Sequence, residues 1–595
     1  MKFPYGISDF HDIITEGYVY IDRTAHIRTI ENTGKQLLFL RPRRFGKSLW
    51  LSTLENYYDV ARADEFATLF GHLAIGQAPT PRHNQYFVLK WDFSAVSPSG
   101  EPEDIRQALH NHINSQIKFF VNYYQPWFDE PVELDRADAI YSFQMLLAAL
   151  QRAPYPLYLL IDEYDNFANE IMMGPAEVRQ ERYKALLYGE GALKTVFKTV
   201  KSAASGRGLD RVFITGVAPV VLSDLTSGYN VAETIALKRE LNALCGFTEA
   251  EIAQTLHTIA AAGQLAEAQV PAALEMMRTF YNGYRFSYEE TDLIYNPTLA
   301  VYFLKHLAQY GEYPREILDV NLAMDRNKLA YIAQLPNGAQ LLLDALQDAE
   351  PLSLVRLAQR FGVEDVQYTV KDTTFMLSLL YYFGILTLSG YTPMGKLTLR
   401  IPNLAARKLY VEQVQDTLLP AGQQDAIARL AEAFYTGGDL APLCAFVEQR
   451  YFKVFDNRDY RWANELTVKT AFLTLLFNDT FYIMDSEPAL ERGYADLVML
   501  VRPDMRKYAL LDLLIEFKYV KLSDLGLSSA EVRDLPPADL AALPLVQEQV
   551  TAARAQVRGY RRTLEAVYGD KLRLRTYAVV AVGFERLLAV EVADL

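Results

Sequence analysis

Two stretches of this 595-residue chain carry residues whose types and spacing suit chemistry on phosphate groups. The first is residues 41–48, RPRRFGKS, which ends like a phosphate-binding loop. In such loops backbone N–H groups hold the phosphates, the lysine reaches the β- and γ-phosphates, and the hydroxyl binds Mg²⁺. The usual pattern has glycine at the position of Arg41, so this loop has an altered entrance. The predicted cofactor-binding residues are Arg43, Arg44, Gly46, Lys47 and Ser48, and Ser48 is also a predicted metal ligand.

An acidic motif further along the chain strengthens the prediction of a nucleotide site. Residues 157–162, LYLLID, form a short apolar run that ends in Asp162 and is followed by Glu163. Asp162 can bind Mg²⁺ through water, and Glu163 can polarise the water that attacks the γ-phosphate. A buried strand that ends in two carboxylates can also provide a helix N-cap. The order of the two motifs within one segment favours a site for ATP and Mg²⁺.

The second stretch, residues 491–521, predicts a β-hairpin with acidic residues on both strands. Asp496 begins one apolar run, and Glu516 and Lys518 end the next. Residues i and i+2 share a face of a strand, so Glu516 and Lys518 point the same way. One carboxylate from each strand can hold Mg²⁺, which can activate a water against a phosphodiester. Lys518 would position that water or stabilise the phosphate charge.

The alternative for this hairpin is an ordinary ion pair on the solvent face of a strand. The run LLDLLI before Glu516 is strongly apolar, however, so charged groups there need partners. Asp496 supplies one partner, and Glu465, on a predicted helix just before the hairpin, supplies another. We predict Asp496 and Glu516 as metal ligands, with Lys518 and Glu465 as further catalytic residues.

A predicted helix at 545–567 carries a stripe of arginines. Arg554, Arg558 and Arg562 are four residues apart and therefore lie on one helical face. A face that follows a nucleic-acid backbone is one interpretation, and a solvated helix face is the other. Gln556 is a further candidate for contact with nucleic acid.

The elements that must position these residues predict an α/β protein. Apolar runs at 36–40, 86–93, 157–162 and 211–217 alternate with helical patterns, as in a buried parallel sheet. Helical patterns then dominate, with a short hairpin within 391–403 and a loop-like insertion at 521–545. The predicted domains are a phosphate-loop core at 1–235, a helical lid at 236–345, a helical or winged-helix-like region at 346–424 and a C-terminal α/β domain at 425–595.

The composition limits the class of protein. The formal net charge is −14, which argues against a surface that coats nucleic acid everywhere, although a local basic face remains compatible. The two cysteines, Cys245 and Cys444, are too few for a disulfide framework. The chain begins without a signal-peptide pattern and has no apolar run of about 18–20 residues. We expect a cytoplasmic protein without a membrane partner.

The segments PYGISDF, EGYVYIDRTAHI, RPRRFGKSL, LLIDEYD, ITGV and YNGYRF together resemble the bacterial AAA-ATPase-like family. Members commonly join an N-terminal AAA-type ATPase, with its lid, to a C-terminal PD-(D/E)XK nuclease. The resemblance implies that Arg41 is a family variant of the loop and that Tyr20 and Asp22 lie near the adenine. It also implies that Thr215, at a strand end, senses the γ-phosphate, although a simple strand-to-turn change is equally compatible. Asp496 follows alanine where the nuclease name has proline.

The function expected from these features is a nucleotide-regulated, Mg²⁺-dependent DNA endonuclease that binds and hydrolyses ATP. The resemblance suggests a setting in phage defence or mobile-element biology, with DNA rather than RNA as partner. AAA-like cores often form rings, so a homo-oligomer is a further expectation. The alternative is a nucleotide-gated switch, or a DNA-translocating or loading ATPase, whose nuclease-like domain only binds nucleic acid.

Overall fold

The computed structural model describes residues 1–97, 100–166, 191–206, 208–219, 231–317, 326–347, 351–358, 372–418, 422–452, 464–485, 489–490 and 493–593. The chain divides into two compact units, Met1–Gly311 with Pro351–Pro402, and Glu312–Glu350 with Asn403–Leu595. This division crosses the predicted lid and the predicted 346–424 region, parts of which lie outside the described residues. The four predicted domain boundaries therefore stay a prediction.

The described strands form two larger sheets and two small ones. They are β1 Gln36–Leu40, β2 Phe87–Asp92, β3 Leu157–Asp162, β4 Leu209–Gly216, β5 Glu233–Thr234, β6 Leu352–Leu354, β7 Thr387–Tyr391, β8 Leu397–Arg400, β9 Tyr482–Asp485, β10 Ala489–Leu490, β11 Gly493–Tyr494, β12 Leu497–Val501, β13 Asp512–Val520, β14 Leu574–Val582 and β15 Arg586–Glu591.

The described α-helices surround these sheets. They are α1 Phe10–Thr15, α2 His26–Thr33, α3 Lys47–Tyr58, α4 Phe66–Phe70, α5 Ala74–Gln77, α6 Pro102–Tyr123, α7 Ala139–Leu150, α8 Ala192–Ala203, α9 Glu249–Ala261, α10 Val270–Tyr281, α11 Pro297–Tyr310, α12 Arg326–Ala333, α13 Gly338–Gln347, α14 Thr373–Tyr382, α15 Leu404–Leu418, α16 Gln424–Gly437, α17 Ala441–Phe446, α18 Glu465–Leu476, α19 Leu522–Leu525, α20 Ser529–Asp534, α21 Pro537–Ala542 and α22 Pro544–Tyr568. None of the helices in the described part of the chain is both long and apolar enough to cross a membrane.

The first unit is built on a parallel sheet with the strand order β2-β3-β4-β1-β5. Its four long strands confirm the apolar runs predicted from sequence, and β3 is buried along its whole length. Because helices cover both faces of such a sheet, its strands are continuously apolar. Strand β4 pairs in parallel with both β1 and β3. The loop after β1 and the acidic end of β3 therefore lie at the same edge of the sheet, the edge formed by the carboxyl ends of its strands.

The region that follows β5 in this unit is helical, with α9, α10 and α11, and it includes a small antiparallel sheet. The predicted hairpin is present as β7 and β8, which pair in antiparallel register, and β6 adds to β8. Asp372 caps the start of helix α14, where its carboxylate accepts a hydrogen bond from the Phe375 amide. Strand β7 of this sheet follows the helix in the chain.

The second unit contains a mixed sheet with the strand order β15-β14-β13-β12-β9. Strands β12 and β13 form the predicted antiparallel hairpin, and β14 pairs in parallel with β13. Leu514 of β13 lies in the apolar cluster with Ala553 and Val557 of α22. Phe517 packs on Phe472 of α18 instead, so alternate residues of β13 face opposite layers.

The insertion at 521–545 differs from the loop predicted for it. It contains the short helices α19, α20 and α21. Val532 and Leu540 are buried in an apolar cluster with Val580 of β14, and this packing stabilises short helices that the sequence pattern hides. Helix α20 also has a capping box formed by Ser528 and Glu531.

Candidate functional site

The loop between β1 and α3 has the backbone of a tight turn into a helix. Arg44 and Gly46 both take left-handed backbone conformations, with φ of 67° and 89°. Glycine suits position 46 because its φ is unfavourable for other residues. Helix α3 starts at Lys47, so its first free N–H groups face the end of the loop, where a phosphate can bind.

Arg41, at the position of the usual first glycine, is 2% exposed. Its guanidinium donates hydrogen bonds to the carbonyls of Leu40, Ala236 and Leu241 at 2.9, 2.7 and 2.7 Å. It also lies between the rings of Phe39 and Phe286, 4.4 and 4.3 Å from the ring centres. Its backbone φ is not left-handed. The side chain therefore belongs to the frame behind the loop, and the backbone at this position does not require glycine.

Two other basic residues of the loop, Arg43 and Lys47, contact the loop itself and the segment after β3. The Lys47 ammonium is buried and donates to the carbonyls of Arg41 and Pro42, each at 3.1 Å. Arg43 donates to the Asn166 side chain, just beyond β3. Ser48 is partly exposed on the first turn of α3. Lys47 therefore rests on loop carbonyls that a bound phosphate can replace.

The acidic end of β3 meets the end of β4, as the sheet order requires. Asp162 is 2% exposed and accepts a hydrogen bond from the Thr215 hydroxyl at 2.5 Å. Glu163 follows with a left-handed φ of 48°, which is uncommon outside glycine. Burial raises the pKa of Glu163, and the nearby Lys47 acts in the opposite direction. Lys47, Asp162, Glu163 and Thr215 thus lie along one edge of the sheet.

A second aspartate of the acidic motif, Asp165, has a structural role that the sequence reasoning missed. Its carboxylate accepts hydrogen bonds from the amides of Val217 and Ala218, at 3.0 and 2.7 Å, and so fixes the chain after β4. The hydroxyl of Tyr164 donates to the Ala218 carbonyl at 2.7 Å. The signal was the full stretch DEYDN, in which an acid follows the two candidate catalytic acids.

Tyr20 and Asp22, predicted near the adenine, make packing and turn contacts. The Tyr20 ring packs edge-on against Phe10 at 5.3 Å, and burial raises the pKa of its hydroxyl. Asp22 accepts from the Thr24 amide and hydroxyl, at 2.8 and 2.7 Å, and from the Ala74 amide at 2.7 Å. These contacts order the chain between α1 and α2, and their role toward nucleotide stays a prediction.

In the second unit, the hairpin brings Asp496 and Glu516 together. The Phe517 amide donates to the Asp496 carboxylate at 2.8 Å, and the Asp496 amide lies 3.4 Å from the Glu516 carboxylate. Each acid therefore binds the backbone of the strand that carries the other. Glu516 is 2% exposed, and burial, followed by the charge of Asp496, raises its pKa to about 7.

Two cations complete this group of acids, and one of them was not predicted. Lys518 donates to Glu516 at 3.0 Å and to Glu465, the first residue of α18, at 3.4 Å. Burial works to lower the pKa of Lys518, but the surrounding carboxylates outweigh it and raise that pKa. Lys469, one turn after Glu465, is 3% exposed and its ammonium lies 3.9 Å from the Asp496 carboxylate. A lysine inside the apolar run TVKTAFL was the available signal.

The residues of this acidic group suit Mg²⁺, which binds oxygen ligands and is commonly held by one or two carboxylates with water and phosphate oxygens. Asp496 and Glu516 provide two carboxylates, the first partly buried and the second buried, and a cation would relieve the repulsion between them. Glu465 lies further out. Elsewhere among the described residues, Asp9, His11 and Asp12 each bring a ligand atom within 4.8 Å of the others. Asp9 caps the six-residue helix α1 by accepting the Asp12 amide, so this cluster has a structural explanation.

Helix α22 covers one side of the acidic group. Tyr560 is partly buried, and burial and then Glu516 and Asp496 raise its pKa, so it lies near the carboxylates. Arg554, Arg558, Arg562 and Gln556 are exposed. At roughly 100° per residue, Arg558 and Arg562 each lie about 160° around the helix from Tyr560. The arginine stripe therefore faces away from the side of the helix that carries Tyr560.

One comparison with known proteins concerns the N-terminal part of the chain, and another spans most of it. Residues 4–226 match the family model described as predicted AAA-ATPase. The chain is 23% identical over 557 residues to an uncharacterized protein in the vnfD 5′ region of Azotobacter chroococcum mcd 1. This match covers 90% of this chain and 93% of that protein.

Two solved structures are similar at low scores. The Aeropyrum pernix Orc1 protein in complex with DNA has a TM-score of 0.26 and 14% identity, with coverage of 66% of this chain and 93% of that chain. Cdc6p from Pyrobaculum aerophilum has a TM-score of 0.25 and 12% identity, with coverage of 69% and 93%. The N-terminal part of the chain is thus AAA-ATPase-like by its match to the family model, and the loop, the acidic strand end and strands β1 to β4 of the parallel sheet lie within the matched residues.

Proposed function

We propose that this protein binds and hydrolyses ATP with Mg²⁺ in its first unit and cleaves phosphodiester bonds with Mg²⁺ in its second. The observation that carries the second activity is the meeting of Asp496, Glu516 and Lys518 at one end of the β12–β13 hairpin. Buried carboxylates beside a lysine match what hydrolysis of a phosphodiester requires, namely a metal to activate water and a cation to stabilise the charge on phosphate.

The residues of the first unit take distinct roles in this proposal. Lys47 and the start of α3 bind the β- and γ-phosphates, and Ser48 and Asp162 hold Mg²⁺ directly or through water. Glu163 orients the attacking water, and Thr215 holds Asp162 in place while remaining close to the γ-phosphate. Mg²⁺ supplies charge neutralisation on the phosphate oxygens.

In the second unit, Asp496 and Glu516 hold Mg²⁺, and Lys518 positions the attacking water or stabilises the developing charge. Glu465 orients Lys518, since the two side chains are within 3.4 Å. DNA is the substrate class that the resemblance to nuclease-containing relatives implies. ATP binding in the first unit regulates cleavage, which distinguishes this proposal from a motor or a loader.

ATP binding is tested by calorimetry on wild type, Lys47→Ala and Lys118→Ala. Lys118 is an exposed lysine of α6 and serves as the matched control. Wild type and Lys118→Ala bind MgATP, and Lys47→Ala loses affinity by at least about 100-fold because the lysine reaches the phosphates. Equal affinity in all three would contradict the loop assignment.

Cleavage is tested on supercoiled plasmid with Mg²⁺, and with EDTA to remove it. Lys518→Ala is compared with Lys521→Ala, an exposed lysine three residues further on. We expect cleavage by wild type and Lys521→Ala and a loss of about 100-fold in Lys518→Ala. Equal cleavage by Lys518→Ala, or cleavage that survives EDTA, would remove the nuclease assignment and leave a nucleotide-gated switch as the simpler function.

A further inference from the structure

The arginine at the entrance of the phosphate loop is unusual for its burial and for its partners. Its hydrogen-bond acceptors are three backbone carbonyls, and its Nε has no acceptor among the described residues. In the described part of the chain no carboxylate forms an ion pair with Arg41. A buried cation balanced only by carbonyl dipoles and two aromatic rings is costly unless an anion lies close by.

The main chain of Arg41 connects this cation to the candidate phosphate edge. Its amide donates to the carbonyl of Gly216, the last residue of β4, at 3.1 Å. Its own carbonyl accepts from Lys47 at 3.1 Å. The guanidinium then ties the end of β1 to the carbonyls of Ala236 and Leu241, in the segment after β5. One residue therefore links the two strand ends that border the loop, the lysine and the following segment.

The packing around the loop extends this frame. Phe286, on which the guanidinium stacks, also packs edge-on against Phe45 of the loop at 5.1 Å. Pro42 lies against Gly384, where an added Cβ would come within 2.7 Å of the proline side chain. The loop thus has little room to move at its entrance. The arginine holds the backbone in one conformation, where a glycine would leave it more flexible.

We propose that Arg41 is a positioning residue for bound phosphate, one that fixes the entrance of the loop and places a permanent positive charge behind it. This inference rests on the proposed ATP site in the first unit. A fixed charge of this kind acts through space on the phosphates, without touching them, and because the guanidinium is buried, salt screens its effect only weakly. It also explains why an arginine can replace glycine here without loss of the site.

The test uses the full chain and MgATP as the probe. Arg41→Met keeps the length of the side chain without its charge, and Arg41→Lys keeps the charge without the planar fork. The matched control is Arg211→Met. Arg211 is also buried and donates to two carbonyls, of Gly34 and Glu31 at 3.0 and 3.3 Å, but it lies near the opposite end of β4.

We expect Arg41→Met to weaken MgATP binding about 10-fold, by a ratio to wild type that changes little with salt because the charge is buried, and Arg41→Lys to weaken it about 3-fold. Arg211→Met is expected to lower the melting temperature and keep the affinity within about twofold. A folded Arg41→Met with wild-type affinity, while Lys47→Ala abolishes binding, would overturn the inference and leave the proposed ATP site intact.

Two further outcomes also decide the question. If Arg41→Met does not fold, Arg41→Gln, which lacks the charge but can still donate to a carbonyl, carries the test, and wild-type affinity in that variant overturns the inference. If wild type itself does not bind MgATP, the proposed function of the first unit fails and this inference fails with it.

Discussion

At the end of β1, buried cations are satisfied by carbonyl oxygens, whereas at the start of β12, buried carboxylates are held by amides and lysines. Lys47 and Arg41 donate to main-chain oxygens of the loop and its neighbours. The Asp496 carboxylate accepts from the amide of Phe517, the residue after Glu516, and the Glu516 carboxylate lies against the Asp496 amide. The first arrangement suits an anion and the second suits a cation. Both groups hold buried charges of both signs, and they differ in which sign is offset by main-chain groups, so the first fits the proposed phosphate and the second the proposed Mg²⁺.

The largest expected effect tests the acidic group. Glu516→Gln keeps the shape of the side chain but removes the charge that Mg²⁺ requires, so plasmid cleavage should fall about 1000-fold. MgATP affinity should stay within about twofold, because the substitution lies in the other unit. Glu548→Gln, an exposed residue of α22, is the control for both measurements. Cleavage by Glu516→Gln at the wild-type rate would break the comparison, since the carboxylates would then have no metal to hold.

The next effect tests the acidic edge of the parallel sheet. Glu163→Gln should lower ATP turnover about 100-fold, because the attacking water loses the group that polarises it. MgATP affinity should be kept or increased, because the phosphates keep Lys47 and the start of α3. Turnover is measured by phosphate release and affinity by calorimetry, with the exposed Glu130→Gln as control. A parallel loss of affinity and turnover would mean that Glu163 supports the fold of the edge instead.

A smaller effect concerns the lysine that sequence reasoning missed. The Lys469 ammonium and a bound Mg²⁺ both neutralise Asp496, so Lys469→Met should lower the half-saturating Mg²⁺ concentration for cleavage by about threefold. Lys469→Arg keeps the charge and should stay closer to wild type. Mg²⁺ titrations of plasmid cleavage provide the measurement. An increase in the half-saturating concentration would show that Lys469 supports the metal site and does not compete with it.

The smallest effect concerns the arginine stripe of α22. Arg558 lies about 160° around the helix from Tyr560, so Arg558→Ala should change the cleavage rate by less than about twofold. A role in binding the DNA backbone would appear instead as a salt slope for DNA affinity that is lower by about 1. Arg575→Ala, which removes a surface pair with Glu591, is the control. A loss of cleavage greater than about 10-fold in Arg558→Ala would place the stripe at the site after all.

Much of the frame of both sites follows from local sequence. The apolar runs that became β1, β2, β3 and β4 were visible because buried parallel strands are continuously hydrophobic. The β12–β13 hairpin was visible from two apolar runs and the turn between them, and this placed Asp496 beside Glu516. The prediction of a loop at 521–545 was wrong, because the short helices of this segment depend on packing against β14, which no local pattern reveals.

The roles of individual charged residues depended on the tertiary structure. The sequence marks Arg41 as a departure from a loop pattern, but its burial between Phe39 and Phe286 depends on residues almost 250 positions apart. Lys469 looks like an ordinary helical lysine until α18 is packed against the hairpin that carries Asp496. Sequence alone thus determined the strands, the loop and the acids that could do chemistry. Only the tertiary structure decided which cations and anions face each other, because charges are paired through space between segments whose separation along the chain carries no information about their distance.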